Sequence, residues 1–166
     1  MPEKQKKVHP KPEERAQKCL SGNELKNFSD FIEFLRDNKL SLQPGNLVVK
    51  HKNKSVCHVR FNDSEHSWEV RHSHFTRENW FQDYDKYITD DELKEFILAH
   101  INAPLCIDRG CNGRQNMTIL GKHFDAVCNC WSLTVKNPDG AALECSKKLI
   151  LVIKKFIADL AAASKV

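Results

Sequence analysis

The 166-residue chain is 40% hydrophobic and 29% charged, which excludes low-complexity disorder, a collagen-like repeat and a coiled coil over its whole length, and fits one globular domain with a short tail. No run nears the roughly 18 apolar residues that a membrane-crossing helix needs, and the charged, proline-bearing N-terminal stretch does not read as a secretory signal. The net charge of +4 is uneven, with +3 on residues 1–18, +3 on residues 141–166 and −2 on the middle, so the basic character belongs to a tail and a terminal helix rather than to a nucleic-acid groove on the folded body.

Residues 1–18 read as a disordered basic tail, because Pro2, Pro10 and Pro12 interrupt a helix and Val8 and Ala16 are the only aliphatic residues after Met1. A single domain is expected over residues 19–166. Ser21 and Glu24 have the spacing of a capping box. Leu25, Phe28, Ile32 and Leu35 then recur with the period of one helix face, which Phe31 and Phe34 widen, so a helix is predicted over about 23–38.

Three strands follow, over 47–51, 56–61 and 67–72, joined by a turn at 52–55 and a polar loop at 62–66. In the second, Cys57, Val59 and Phe61 alternate with Val56, His58 and Arg60. In the third, Trp68 and Val70 alternate with Glu69 and Arg71. That is the pattern of an antiparallel meander with one wet face. Thr76 can head a short helix to about Gln82. Thr89 and Glu92 form a second capping box, with Ile88 and Leu93 placed as a hydrophobic staple. Asp90 and Asp91 put negative charge at the positive end of that helix, and Pro104 stops it near Asn102.

Residues 103–125, rich in Cys, Gly, Asn and Arg, read as a loop, and the whole cysteine-rich region runs over 103–130. Residues 126–135 alternate as a fourth strand. Asn137-Pro138-Asp139-Gly140 is a turn. A last helix over about 140–162 turns Leu149, Val152, Ile153, Phe156, Ile157 and Leu160 inward and its lysine pairs outward. The expected class is α+β, an antiparallel three- to four-stranded sheet with helices packed on one face.

The helix–meander–helix order over 23–102 resembles the small bacterial α+β domains of the TfoX N-terminal and YdhG-like kinds. The stretch carrying Asn116-Met117-Thr118 and Asn137-Pro138-Asp139-Gly140 looks like short bacterial proteins that carry no assigned function. The resemblance implies an α+β fold and transfers no site residue.

The chain has seven cysteines, an odd count that argues against a secreted disulfide framework and for a reducing, cytoplasmic compartment. Cys19, Cys57 and Cys145 read as small hydrophobes or inert thiols. The other four form two pairs, Cys106-x4-Cys111 and Cys128-x-Cys130. Zinc takes four thiolates tetrahedrally at about 2.3 Å, one pair from each of two chain segments. Gly110 and Gly113 let the backbone turn around Cys111. Arg109, Arg114, Lys122 and His123 are candidates to offset the −2 charge of such a centre. The same cysteines also suit thiol redox chemistry, or stay reduced and bind nothing.

His72-Ser73-His74, with His66 and Glu65, is a second candidate for metal, and a polar strand rim gives the same pattern. The stretch Trp80-Phe81-Gln82-Asp83-Tyr84-Asp85-Lys86-Tyr87 either lines a pocket for a cationic ligand or packs a short helix on the sheet. Phosphate-loop, dinucleotide-binding, metalloprotease and nucleophile-elbow motifs are missing, and a Cys–His pair such as Cys111 with His123 could form a nucleophile and base, as many such pairs could in a chain with seven cysteines and eight histidines. The expected function is a non-enzymatic cytoplasmic binding domain with a structural zinc at Cys106, Cys111, Cys128 and Cys130. Its partner would be a protein, a small molecule or a second copy of the chain, not a membrane. A nucleic-acid module using the basic tail and the last helix is the rival from another class.

Overall fold

The computed structural model describes residues 9–72, 84–100, 114–128 and 133–163. Its sheet grows outward from one hairpin. β3 (Lys54–Asn62) and β4 (Ser67–His72) pair antiparallel, with Val59 opposite Val70 and Phe61 opposite Trp68. This register lands the apolar set of both strands on one face. β2 (Val48–His51) adds beside β3, β1 (Ser41–Leu42) lies beyond it, and β7 (Leu133–Lys136) pairs with the free side of β4. All four pairings are antiparallel. β5 (Arg114–Ile119) and β6 (Lys122–Cys128) form a separate two-stranded sheet.

Four helices complete the described residues: α1 (Pro12–Cys19), α2 (Gly22–Asp37), α3 (Asp91–His100) and α4 (Gly140–Ala163). Their buried stripes meet the sheet in one core. Phe28 of α2 stands edge-on to Trp68 at 5.1 Å between ring centroids, and Phe31 lies 5.5 Å from the same ring. Leu149, Ile150, Ile153, Phe156 and Ile157 of α4 fill the rest of that core. The fold is α+β, as expected, with a sheet one strand larger. β1, at two residues, is too short to carry a periodic signal.

Several local expectations are corrected. Part of the supposed tail is α1, because Pro12 stands at the start of the helix, where its missing N–H would be unbonded in any case. Ala16, Cys19 and Leu20 are buried there, and the Arg36 guanidinium bonds the Glu13 carboxylate. Ser21 does precede α2 with extended backbone, but its side chain makes no capping bond. Strict alternation in β3 fails at Val56. The register passes from Val49 opposite Cys57 to Lys50 opposite Ser55, so Val56 is the extra residue of a bulge. Val56 and Cys57 are consequently both buried in the core. At α3 the cap is Asp90 rather than Thr89, with Asp90 Oδ1 accepting the Leu93 N–H at 3.0 Å.

The expected loop over 103–125 holds the β5–β6 hairpin, turned by Leu120 (φ 49°) and Gly121 (φ 81°). The expected single strand over 126–135 is two strands in different sheets, β6 ending at Cys128 and β7 starting at Leu133. The last helix is placed as predicted, except that Leu160 is exposed. The short helix expected over 76–82 lies outside the described residues.

Asn137 joins the two ends of this fold. In the left-handed region (φ 41°), it donates its N–H to Trp68 O at 2.8 Å and accepts the Trp68 N–H on Oδ1 at 3.0 Å. Asparagine tolerates that conformation better than most residues. Asn137→Ala removes the side-chain bond and adds backbone strain, so it is expected to destabilise the protein by about 1–3 kcal/mol in chemical denaturation.

Candidate functional site

Three of the seven cysteines have described side chains, and all three are held as neutral thiols. Cys57 on β3 is fully buried, and burial alone pushes its pKa far up. Cys145 on α4 is raised by burial and then by Glu92. Cys19 at the end of α1 is raised by burial and by Asp63, and its thiol faces Asn62 O at 3.7 Å and Ser67 O at 3.9 Å. A thiolate is the nucleophile and the metal ligand, so these three are inert, as the sequence suggested.

Cys106, Cys111 and Cys130 lie outside the described residues. Cys128 is the last residue of β6, its Cα paired with that of Arg114 at the open end of the hairpin. The closed end is plugged into the core by Ile119, fully buried, with Leu120 and Phe124 packed against it. Lys122 and His123 sit at this closed end, opposite Ile119 and Thr118. Five or six residues of extended chain, roughly 17–20 Å, separate them from Cys128. His123 bonds Asp125 at 3.1 Å, and Lys122 lies over the Phe124 ring. The structure therefore does not bring Lys122 and His123 to Cys128 as its electrostatic companions. Among the described residues, no group of three or more His, Cys, Asp or Glu side chains is placed to hold a metal.

The histidine candidate is likewise dispersed. His72 is fully buried on the core face at one end of β4, opposite Leu133. His66 is exposed in the turn at the other end, with its Nδ1 3.1 Å from Cys19 O. Six residues of strand part the two, and His74 lies outside the described residues.

No family model, curated protein or solved structure matches this chain.

In the described part of the aromatic-acidic stretch the two tyrosines pack on α4, while Asp85 and Lys86 line a concavity with Ile88, Thr89, Lys94 and Leu120. Tyr84 is buried, with its ring 4.5 Å from Phe156. Tyr87 Oη donates to Asp159 Oδ2 at 2.8 Å, and Lys155 Nζ reaches the same oxygen at 3.1 Å. Together, the Tyr87 bond first, they lower the Asp159 pKa. Trp80, Phe81, Gln82 and Asp83 lie outside the described residues.

The lysines of α4 are matched one by one. Lys147 meets Glu144 at 2.7 Å, Lys154 donates to Asn38 O at 2.8 Å, and Lys148 bridges Asp90 at 2.8 Å and Glu92 at 2.9 Å. With Lys155 on Asp159, this helix presents paired charge rather than a bare basic stripe. None of the helices among the described residues is long and apolar enough to cross a membrane.

What sequence reasoning missed is a concavity of about 250 Å³ on the face of the sheet away from the helices, at the β3–β4 turn. Alternation alone puts Arg60 and Glu69 on that face. Lys136 joins them only through the β4–β7 pairing, which sets it opposite Glu69 at a sequence separation of 67, a contact that no local pattern announces.

The Asp90–Lys148 pair yields a signed pH effect. The Lys148 bond, then the Leu93 N–H, hold the Asp90 pKa below its ordinary value. A depressed carboxylate contributes stability above its unfolded pKa of about 4 and loses it as pH falls through the folded value. Asp90→Asn, which keeps a capping oxygen but no charge, is expected to lower the melting temperature at neutral pH. The gap from the unmodified protein should close as pH falls below the ordinary carboxylate range and through the lowered Asp90 pKa.

Proposed function

We propose that Cys106, Cys111, Cys128 and Cys130 hold one zinc ion as a structural centre in a small, non-enzymatic, cytoplasmic binding domain. The observation that carries the reading is the β5–β6 register, which sets Cys128 across from Arg114. Cys111 is three residues before Arg114, a chain length that spans at most about 11 Å, and Cys130 is two residues beyond Cys128, at most about 7 Å. Three of the four cysteines are thereby tied to the open end of one hairpin. Sulfurs around a tetrahedral zinc stand roughly 3.8 Å apart, which that tether permits.

The energetics point the same way. An isolated two-stranded hairpin is marginal in water. This one is anchored in the core at its closed end through Ile119, and Leu120 in the left-handed region adds about 1 kcal/mol of strain. A metal at the open end would add a second anchor, since metal binding and ordering of its ligands are one free energy. The three remaining cysteines are neutral buried thiols and do not compete for the ion.

Protein purified without chelators is expected to carry zinc at close to one ion per chain by elemental analysis. Cys111→Ser and Cys128→Ser should each abolish it, while Cys57→Ala leaves it unchanged. Metal-free protein with fast alkylation of these cysteines at pH 6 would instead favour the thiol redox reading.

A further inference from the structure

Strand pairing sorts charge onto the outer face of the five-stranded sheet, opposite the core that the four described helices fill. Lys50 follows the inward Val49 on β2, Arg60 and Arg71 follow the inward Val59 and Val70 on β3 and β4, and Lys136 follows the inward Val135 on β7. Four adjacent strands thus each present one permanent cation on the outer face. Glu69, 4.0 Å from Arg60, is the single acid among the outward strand residues, so four cations against one acid leave +3 there. Residues 19–140, which supply all five groups, carry −2 as a whole. Lys50 and Lys136 have no ion-pair partner among the described residues. His58, opposite Arg71 on this face, feels the field: burial, then Arg60 and Arg71, lower its pKa.

The rest of the face narrows the partner. Val48 is its one aliphatic strand residue and is itself buried, so the face offers neither the apolar centre of a protein interface nor a residue to enter a lipid layer. Its strands turn no Phe, Tyr or Trp outward, the side chains on which the bases of a single strand stack. Ser41, Asn62, Ser67 and Thr134 stand among the cations and add hydroxyl and amide donors. Arg, Lys, Ser, Thr and Asn side chains are the groups that hold nucleic-acid phosphates without reading sequence. One cation per strand, on strands about 4.8 Å apart, suits a chain of anions rather than a single one. The acids Asp63 and Glu65 lie in the β3–β4 turn, past Asn62 and Ser67 at one end of the face.

We propose that the outer sheet face binds the phosphate backbone of a nucleic-acid duplex, without sequence preference, through Lys50, Arg60, Arg71 and Lys136. The contact is this face rather than the last helix, whose described lysines already meet acids or a carbonyl. The proposal gives the binding domain a partner and does not depend on the zinc centre, whose metal content is measured separately, so either reading can fail alone.

The test is fluorescence anisotropy of the full-length protein with a labelled DNA duplex of about 20 base pairs, a single strand of the same length, and polyglutamate. The duplex should bind with Kd below about 100 μM at about 50 mM salt, and log K should fall against log salt with a slope of about −3 to −4, as four phosphate contacts require. Lys50→Gln and Lys136→Gln should each weaken the duplex about two- to five-fold, and the pair together should make the slope shallower by about two. Lys155→Gln on α4 should change neither. Amide shifts on adding duplex should fall on β2, β3, β4 and β7, with the spectra of the free variants otherwise matching the unmodified protein. No duplex binding at about 50 mM salt, an unchanged slope in the double variant, or equal binding of the single strand or polyglutamate overturns the proposal.

Discussion

The fold depends on what converges at Trp68. Its backbone is clasped by Asn137, which returns a hydrogen bond in each direction and so fixes where β7 ends and α4 begins. Its side chain is the surface on which α2 settles through Phe28 and Phe31. One residue of β4 thereby ties the first long helix, the middle of the sheet and the last helix together. Local helix propensity could not have done this, since most of a helix's stability in a protein comes from packing its apolar face.

Charge is organised by the same packing. Each described lysine of α4 ends on an acid or a carbonyl, some of them far away in sequence, as when Lys148 closes on the start of α3. Exposed pairs of this kind contribute little energy individually. They do remove the basic stripe that composition alone implies. On the outer sheet face, pairing sets Lys136 beside Glu69 and the turn holds Glu65.

The hairpin shows how a metal centre and a fold would serve each other. Its closed end is apolar and buried at Ile119, and its open end brings Cys128 opposite Arg114. The first end is held by the hydrophobic effect. The second is where the proposed metal would act, from Cys128.

The sequence by itself determined the elements whose burial is local and periodic: α2, β4, most of β3 and α4, and the α+β class that follows from them. It also marked Cys57, Cys145 and Cys19 as inert, which burial explains. Only the tertiary structure decided the rest. Pro12 starts a helix because α1 has a core to bury Ala16 in, and Val56 turns inward because a bulge adds a residue against β2. Residues 114–128 fold back because Leu120 accepts a left-handed turn that local propensity disfavours, with Ile119 buried beside it. Residues 126–135 divide between two sheets. These outcomes rest on partners distant in the chain, and a one-dimensional pattern records a residue's own preference but not the surface that awaits it.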